Sequence, residues 1–167
     1  MLDISSLIQN VLGSNWSITN PALADFLWKM DEFDPKWGRG ISSSKSIIAQ
    51  VLFENYPDRK IYISNIFTGI MYKVIHSCRI TIYLRPLRYD DTTVEATKTT
   101  FFNIKSEIDR ILAKCKFSIS GVTNLEMTAS GWNDGATVAR GRGTKSTREP
   151  IVWESRKVVT AIYYTVG

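Results

Sequence analysis

The chain is poor in the side chains that most enzymes use. It has one histidine, His76, and two cysteines, Cys78 and Cys115, among 167 residues. A Ser-His-Asp or Cys-His arrangement would have to recruit His76. That residue falls mid-strand between Val74 and Cys78 on an apolar face, where a structural histidine is expected. Cys78 shares the face, but an extended strand holds the two side chains side by side, not converging on one point. Two cysteines at unrelated spacing make neither a disulfide framework nor a metal motif. Each sits on the apolar face of its element, as a small buried hydrophobe would. Such usage suits a compartment indifferent to disulfides.

Other absences narrow the field further. No apolar run approaches the roughly 20 residues of a membrane span. The opening MLDISSLIQN has no basic stretch and carries Asp3, so a folded segment is expected there, not a signal peptide. The segment RGRGTKST holds glycine and basic residues, but not the spacing of a phosphate-binding loop, and a strand follows it where a helix would be needed. No zinc or calcium spacing is present. Carboxylates cluster at Asp90-Asp91 and Asp31-Glu32-Asp34, yet general acid–base work needs two of them facing one pocket. Helix capping and a solvated loop account for both clusters. Nothing calls for a cofactor or a metal, and an enzyme is not expected. There is no internal repeat and no low-complexity tract.

What is present reads as one globular domain spanning 1–167. Apolar residues make up 44% and charged residues 22%, the balance of a chain that buries an ordinary core. The net charge of +5 is unevenly spread. Residues 1–58 hold seven acidic side chains against four basic ones, whereas residues 138–157 hold six basic against two acidic. Opposite charge on separate segments suits contact between copies, or contact with a polyanion.

Periodicity places the elements. Leu2, Ile4, Leu7, Ile8, Val11 and Leu12 recur at helical spacing, and Gly13 is expected to end that helix. Asn20 could cap a short helix with Pro21 at its first position. Residues 20–58 otherwise read as an irregular insertion carrying Trp28 and Trp37. Within it, SIIAQVLFENY could be a strand or a short helix. KIYISNIF reads as a strand broken at Gly69. From Val74 to Leu84, one face carries Val74, His76, Cys78, Ile80, Ile82 and Leu84. The other face carries Ile75, Ser77, Arg79, Thr81, Tyr83 and Arg85. This alternation is that of an antiparallel strand with one buried and one partly solvated face. Pro86 stops it.

A long amphipathic helix follows. Asp91 or Thr92 can cap it, and Thr92 with Glu95 matches the capping-box spacing. Val94, Phe101, Ile104, Ile108, Ile111, Leu112 and Cys115 form one apolar stripe. GVTNLEMTASG and PIVWESRKVVTAIYYTVG then read as two strands. Between them, residues 133–148 open with the turn signal Asn133-Asp134-Gly135 and continue as a protruding basic loop.

The expected architecture is α+β. A sheet of roughly four mainly antiparallel strands would carry the long helix on one face, with an N-terminal helix beside it. The other face would leave Tyr83, Trp153 and Tyr163 for a partner to cover. Trp28 and Trp37 are further candidates for a subunit interface. Arg140, Arg142, Lys145 and Arg148 are candidates for contact with a neighbouring subunit or with nucleic-acid phosphates. An alternative use of the same features is a nucleic-acid-binding module that stacks bases on the aromatic sheet face.

Taken in order, the N-terminal helix ending in SNW, the strand HSCRITIYLRP, the helix TVEATKTTFFNIKSEIDRIL and the final strand WESRKVVTAIYYTVG resemble the tail terminator and head–tail neck proteins of tailed viruses of bacteria and archaea. The resemblance covers most of residues 2–12 and 72–167. It implies a small subunit forming a ring of about six copies. The ring would cap the tail tube and join it to the head. Its partners would be further copies of itself, the tail tube protein and neck or connector proteins. DNA would pass through the channel without sequence-specific contact, and no membrane would be involved. Assembly would take place in the host cytoplasm, and the finished part would sit in the virion. Another head–tail connector or tail completion protein is the neighbouring alternative.

Overall fold

The computed structural model describes residues 3–22, 26–30, 47–86, 91–115, 117, 122–138 and 151–167. The elements are α1 (Ile4–Asn15), β1 (Phe26–Met30), β2 (Ile47–Asn55), β3 (Arg59–Ile66), β4 (Gly69–Pro86), α2 (Asp91–Lys114), β5 (Thr123–Ala129), β6 (Asn133–Val138) and β7 (Ile151–Val166). The fold is α+β, with one sheet and two helices among the described residues.

The sheet holds seven strands, more than the four or so expected from periodicity. The difference lies in two interruptions and in one added short strand, β1. β4 and β7 are long, at 18 and 16 residues, and pair antiparallel from Met71–Val166 to Leu84–Trp153. Along the free side of β4, β2 pairs with its C-terminal half and β3 with its N-terminal half. Pro57, which cannot donate a ladder hydrogen bond, lies in the break between them. Along the free side of β7, β6 and β5 divide the length in the same way, with Ser130–Trp132 between them. Four long rows therefore run through the sheet, two of them broken. β1 adds a short row, parallel to β2.

Several expectations change. The N-terminal helix runs through Gly13 to Asn15. No helix starts at Pro21; Asn20-Pro21 is a cis peptide in a turn, and the Pro21 carbonyl accepts the indole N–H of Trp16. Within the stretch at 46–56, Ile47–Asn55 is a strand. Residues 20–58 are thus not irregular throughout, because β1 and β2 lie within them. Asn133–Val138 is also a strand, not the start of a loop. There the pairing with β7 outweighs the local turn signal. Residues 139–150 lie outside the described residues. Thr92 falls inside α2, and Glu95 pairs with Lys98 at 2.8 Å.

One face of the sheet makes the core. Ile4, Ile8 and Leu12 from α1 and Phe101, Ile104, Ile108 and Ile111 from α2 bury against Val51, Phe53, Cys78, Ile80, Ile82, Leu84, Val159 and Ala161. These are the apolar stripes read from the sequence, brought together because each covers only one side of its element. Buried tethers fix the two helices to each other. Glu107 accepts hydrogen bonds from the Ser17 amide and hydroxyl and pairs with Arg110, whose guanidinium also donates to the Asn15 carbonyl at the end of α1. At the other end of α1, Asp3 caps the helix through the Ser6 amide and accepts from the Asn55 side chain at the end of β2.

Candidate assembly surfaces

Register decides where the candidate aromatics point. Residues paired across an antiparallel ladder share a face. Trp153 pairs with Leu84 and Tyr163 with Val74, so both lie on the helix-covered face. Tyr83 pairs with Glu154 and Gln50 and lies on the other. The three therefore form no common aromatic surface. Trp153 packs on Phe101 of α2 with ring centroids 6.1 Å apart, and Tyr163 is buried. Burial, then the neighbouring Glu154 carboxylate, pushes the Tyr83 phenol up. Trp28 lies in β1. Trp37, Arg140, Arg142, Lys145 and Arg148 lie outside the described residues.

The face away from the helices is largely a polar ladder. Glu54 and Arg79 form an ion pair with a 2.7 Å hydrogen bond. The hydroxyls of Ser77 and Thr160 meet at 3.0 Å. Gln50, Leu52 and Thr81 are buried at the β2 end of this face. His76 sits on the core face and is buried, with Nδ1 lacking a hydrogen-bond partner. Among the described residues, no group of three or more His, Cys, Asp or Glu side chains could hold a metal ion, and no helix is long and apolar enough to cross a membrane.

Sequence reasoning missed the most exposed apolar feature. β3 and the first half of β4 form a hairpin, and none of the β3 residues is buried. Its two-residue turn leaves Phe67 fully exposed, and Tyr62 at 57% and Ile63 at 44% are exposed further back along β3. Ile70 and Val166 continue the exposed surface. Gly69 makes the turn possible. Its φ of +145° is costly for any side chain, and a Cβ there would lie 2.9 Å from the Gly167 carbonyl oxygen. Ile70 and Gly167 exchange both backbone hydrogen bonds at 3.1 and 3.0 Å, tying this arm to the end of β7. The legible signal was the run YISNIFTGI, in which aromatic and β-branched residues continue through the turn with no charge to solvate it.

A second feature lies between α2 and β6. Phe101, Phe102, Trp153, Lys98, Lys105 and Asp134 line a cavity of about 410 Å³. Phe102 is 65% exposed at its mouth. Lys105 bridges to Asp134 at 2.9 Å and stands over the Phe101 ring. The hydrogen bond from Ser155, then the Lys105 ammonium, holds the Asp134 carboxyl below its ordinary range. Val138 and Ile151 are paired, so the basic segment between them leaves and rejoins the sheet at one point. The chain matches no protein-family model and no curated protein.

Proposed function

We propose that the protein is a structural part of a virus particle, a ring-forming tail terminator that caps the tail tube and joins it to the head or neck. The observation that carries this reading is the arm. An exposed apolar hairpin tip is unfavourable on an isolated subunit and is covered in an assembly. The order of elements supports it through the family resemblance. The separation of acidic and basic segments favours contacts between different surfaces of neighbouring copies. In this reading the protein is not an enzyme and needs no cofactor. Its partners are its own copies, tail tube and connector proteins, and DNA that passes without sequence-specific contact. A different head–tail connector or tail completion protein would use the same surfaces.

The test is native mass by light scattering at physiological salt, with negative-stain images of the same sample. A closed ring of about six copies supports the reading. A chain that stays monomeric at every concentration, and also in the presence of tail tubes, overturns it.

A nucleic-acid-binding module is the second reading, favoured by the cavity at Phe102 and Trp153 beside the root of the basic segment. The split of Tyr83 from Trp153 and Tyr163 removes the stacking platform it first required. Binding of single-stranded DNA that weakens steeply with salt would promote it.

A further inference from the structure

Among the described residues, the sheet has two open edges, at β3 and at β5. β1 pairs with the outer side of β2 over Phe26–Met30. Among the described residues, no strand pairs with the outer side of β3 or of β5. Both edges are solvated: Arg59, Lys60 and Tyr62 are exposed on one, and Asn124, Glu126 and Thr128 on the other. Open edges usually carry devices that discourage pairing. Here each has a bulge, between Tyr62 and Ser64 in β3 and between Thr123 and Glu126 in β5. The bulges leave a regular stretch on each edge, Arg59–Tyr62 and Glu126–Ala129.

Three observations bear on what covers these edges. The first is direction. β3, β4, β7 and β5 alternate, so β3 and β5 run in opposite senses. Copies rotated about an axis along the strands keep those senses, so the β3 of one copy meets the β5 of the next antiparallel. The second is charge. Arg59 pairs with Ile75, Ile75 with Ile162 and Ile162 with Glu126. Arg59 and Glu126 thus end the same row on the same face, one at each edge. Joining the edges level sets them opposite each other. The nearest slip that keeps the faces aligned sets them diagonal, still within reach of long side chains. The third is continuity: the exposed Tyr62 and Ile63 belong to the same edge strand.

We propose that β3 of one copy adds to β5 of a second copy as an antiparallel pair, head to tail, with Arg59 facing Glu126 across the junction. This deepens the ring reading above and rests on it for closure, because a heterologous contact that does not close makes a filament.

The test uses the full chain. Arg59→Cys and Glu126→Cys are combined in one variant and oxidised, with the unsubstituted chain as control for Cys78 and Cys115. The double variant is expected to give a ladder of linked copies on a non-reducing gel, and each single variant none. Dimers from Arg59→Cys alone would mean that like edges pair, and would overturn the proposal. Charge reversal is the second arm. Arg59→Glu or Glu126→Arg alone is expected to weaken association about fivefold per contact, and the two together to restore it. Rings that form without crosslinks and ignore both reversals overturn the edge pairing while leaving the ring reading intact. Rings that never form overturn both.

Discussion

The Glu107 carboxylate accepts hydrogen bonds from the Ser17 amide at 2.8 Å and from its hydroxyl at 2.9 Å, across a separation of 90 residues. The contact seats the exit of α1 on the middle of α2. Together with Arg110, whose hydrogen bond is the larger cause, it lowers the Glu107 pKa from 4.5 to about 2. The group is buried, so its ionised form is favoured only while these partners hold. A depressed folded pKa contributes stability that is complete above the unfolded pKa and is lost as pH falls through the folded one. The loss should run between pH 4.5 and about 2. Glu107→Gln should flatten this part of the stability–pH curve by up to about 3 kcal/mol. Urea denaturation at several pH values measures it, and parallel curves for the two proteins would refute the assignment.

Phe101 and Phe102 are adjacent yet opposite in burial, at 6% and 65% exposed. Ile104 lies one turn on from Phe101 and is fully buried against the sheet. Ile104→Ala should cost about 2–5 kcal/mol through lost burial and the cavity left behind. Phe102→Ala should change stability by no more than about 0.5 kcal/mol. Chemical denaturation of both variants checks which face of α2 meets the sheet.

Lys157 projects into the core face, with its side chain 7% exposed, and reaches Asp109 at 3.0 Å. Its ammonium also donates to the Ser130 carbonyl and lies 4.9 Å from the Trp132 ring. Lys157→Met keeps the apolar stem and removes the charge, so it should cost under about 1.5 kcal/mol. Asp109→Ala removes the counter-charge of the buried ammonium and the acceptor of the Trp132 indole N–H at 2.9 Å, and should cost about 2–3 kcal/mol. The reverse ranking in thermal unfolding would contradict the view that Asp109 neutralises Lys157.

Asp3 joins helix and sheet. Burial alone would raise its pKa, but hydrogen bonds from Ser6, Ser5 and Asn55 overcome this and hold it well below the usual range. Asp3→Ala should cost about 0.5–2 kcal/mol as a lost cap. Asn55→Ala should not add to it fully, because Asn55 donates to Asp3 at 2.9 Å and accepts from the Ser5 amide at 3.1 Å. A double-mutant cycle should show coupling of at least about 0.5 kcal/mol. Strict additivity would mean that the two ends act independently.

The alternation from Val74 to Leu84 was legible because one face of β4 meets the helices, which imposes a period of two on burial. The stripe of α2 was legible for the matching reason. Asn133–Val138 was not, since its turn residues are overridden by a ladder to β7 that is remote in sequence. The face of Trp153 and Tyr163 was equally hidden, because both faces of β7 carry large apolar groups and only its register with β4 separates them.

By itself, the sequence determined the α+β class, the two amphipathic helices, the long central strand and the scarcity of catalytic side chains. These follow from composition and from periods of 3.6 and two, which are local properties. Tertiary structure alone decided that the sheet has two broken rows, that the hairpin tip at Phe67 is left exposed, and that Arg59 and Glu126 end one row on one face. Each of these depends on which strand lies beside which. That choice is made by burial and hydrogen bonding between segments far apart in the chain, which no local pattern encodes.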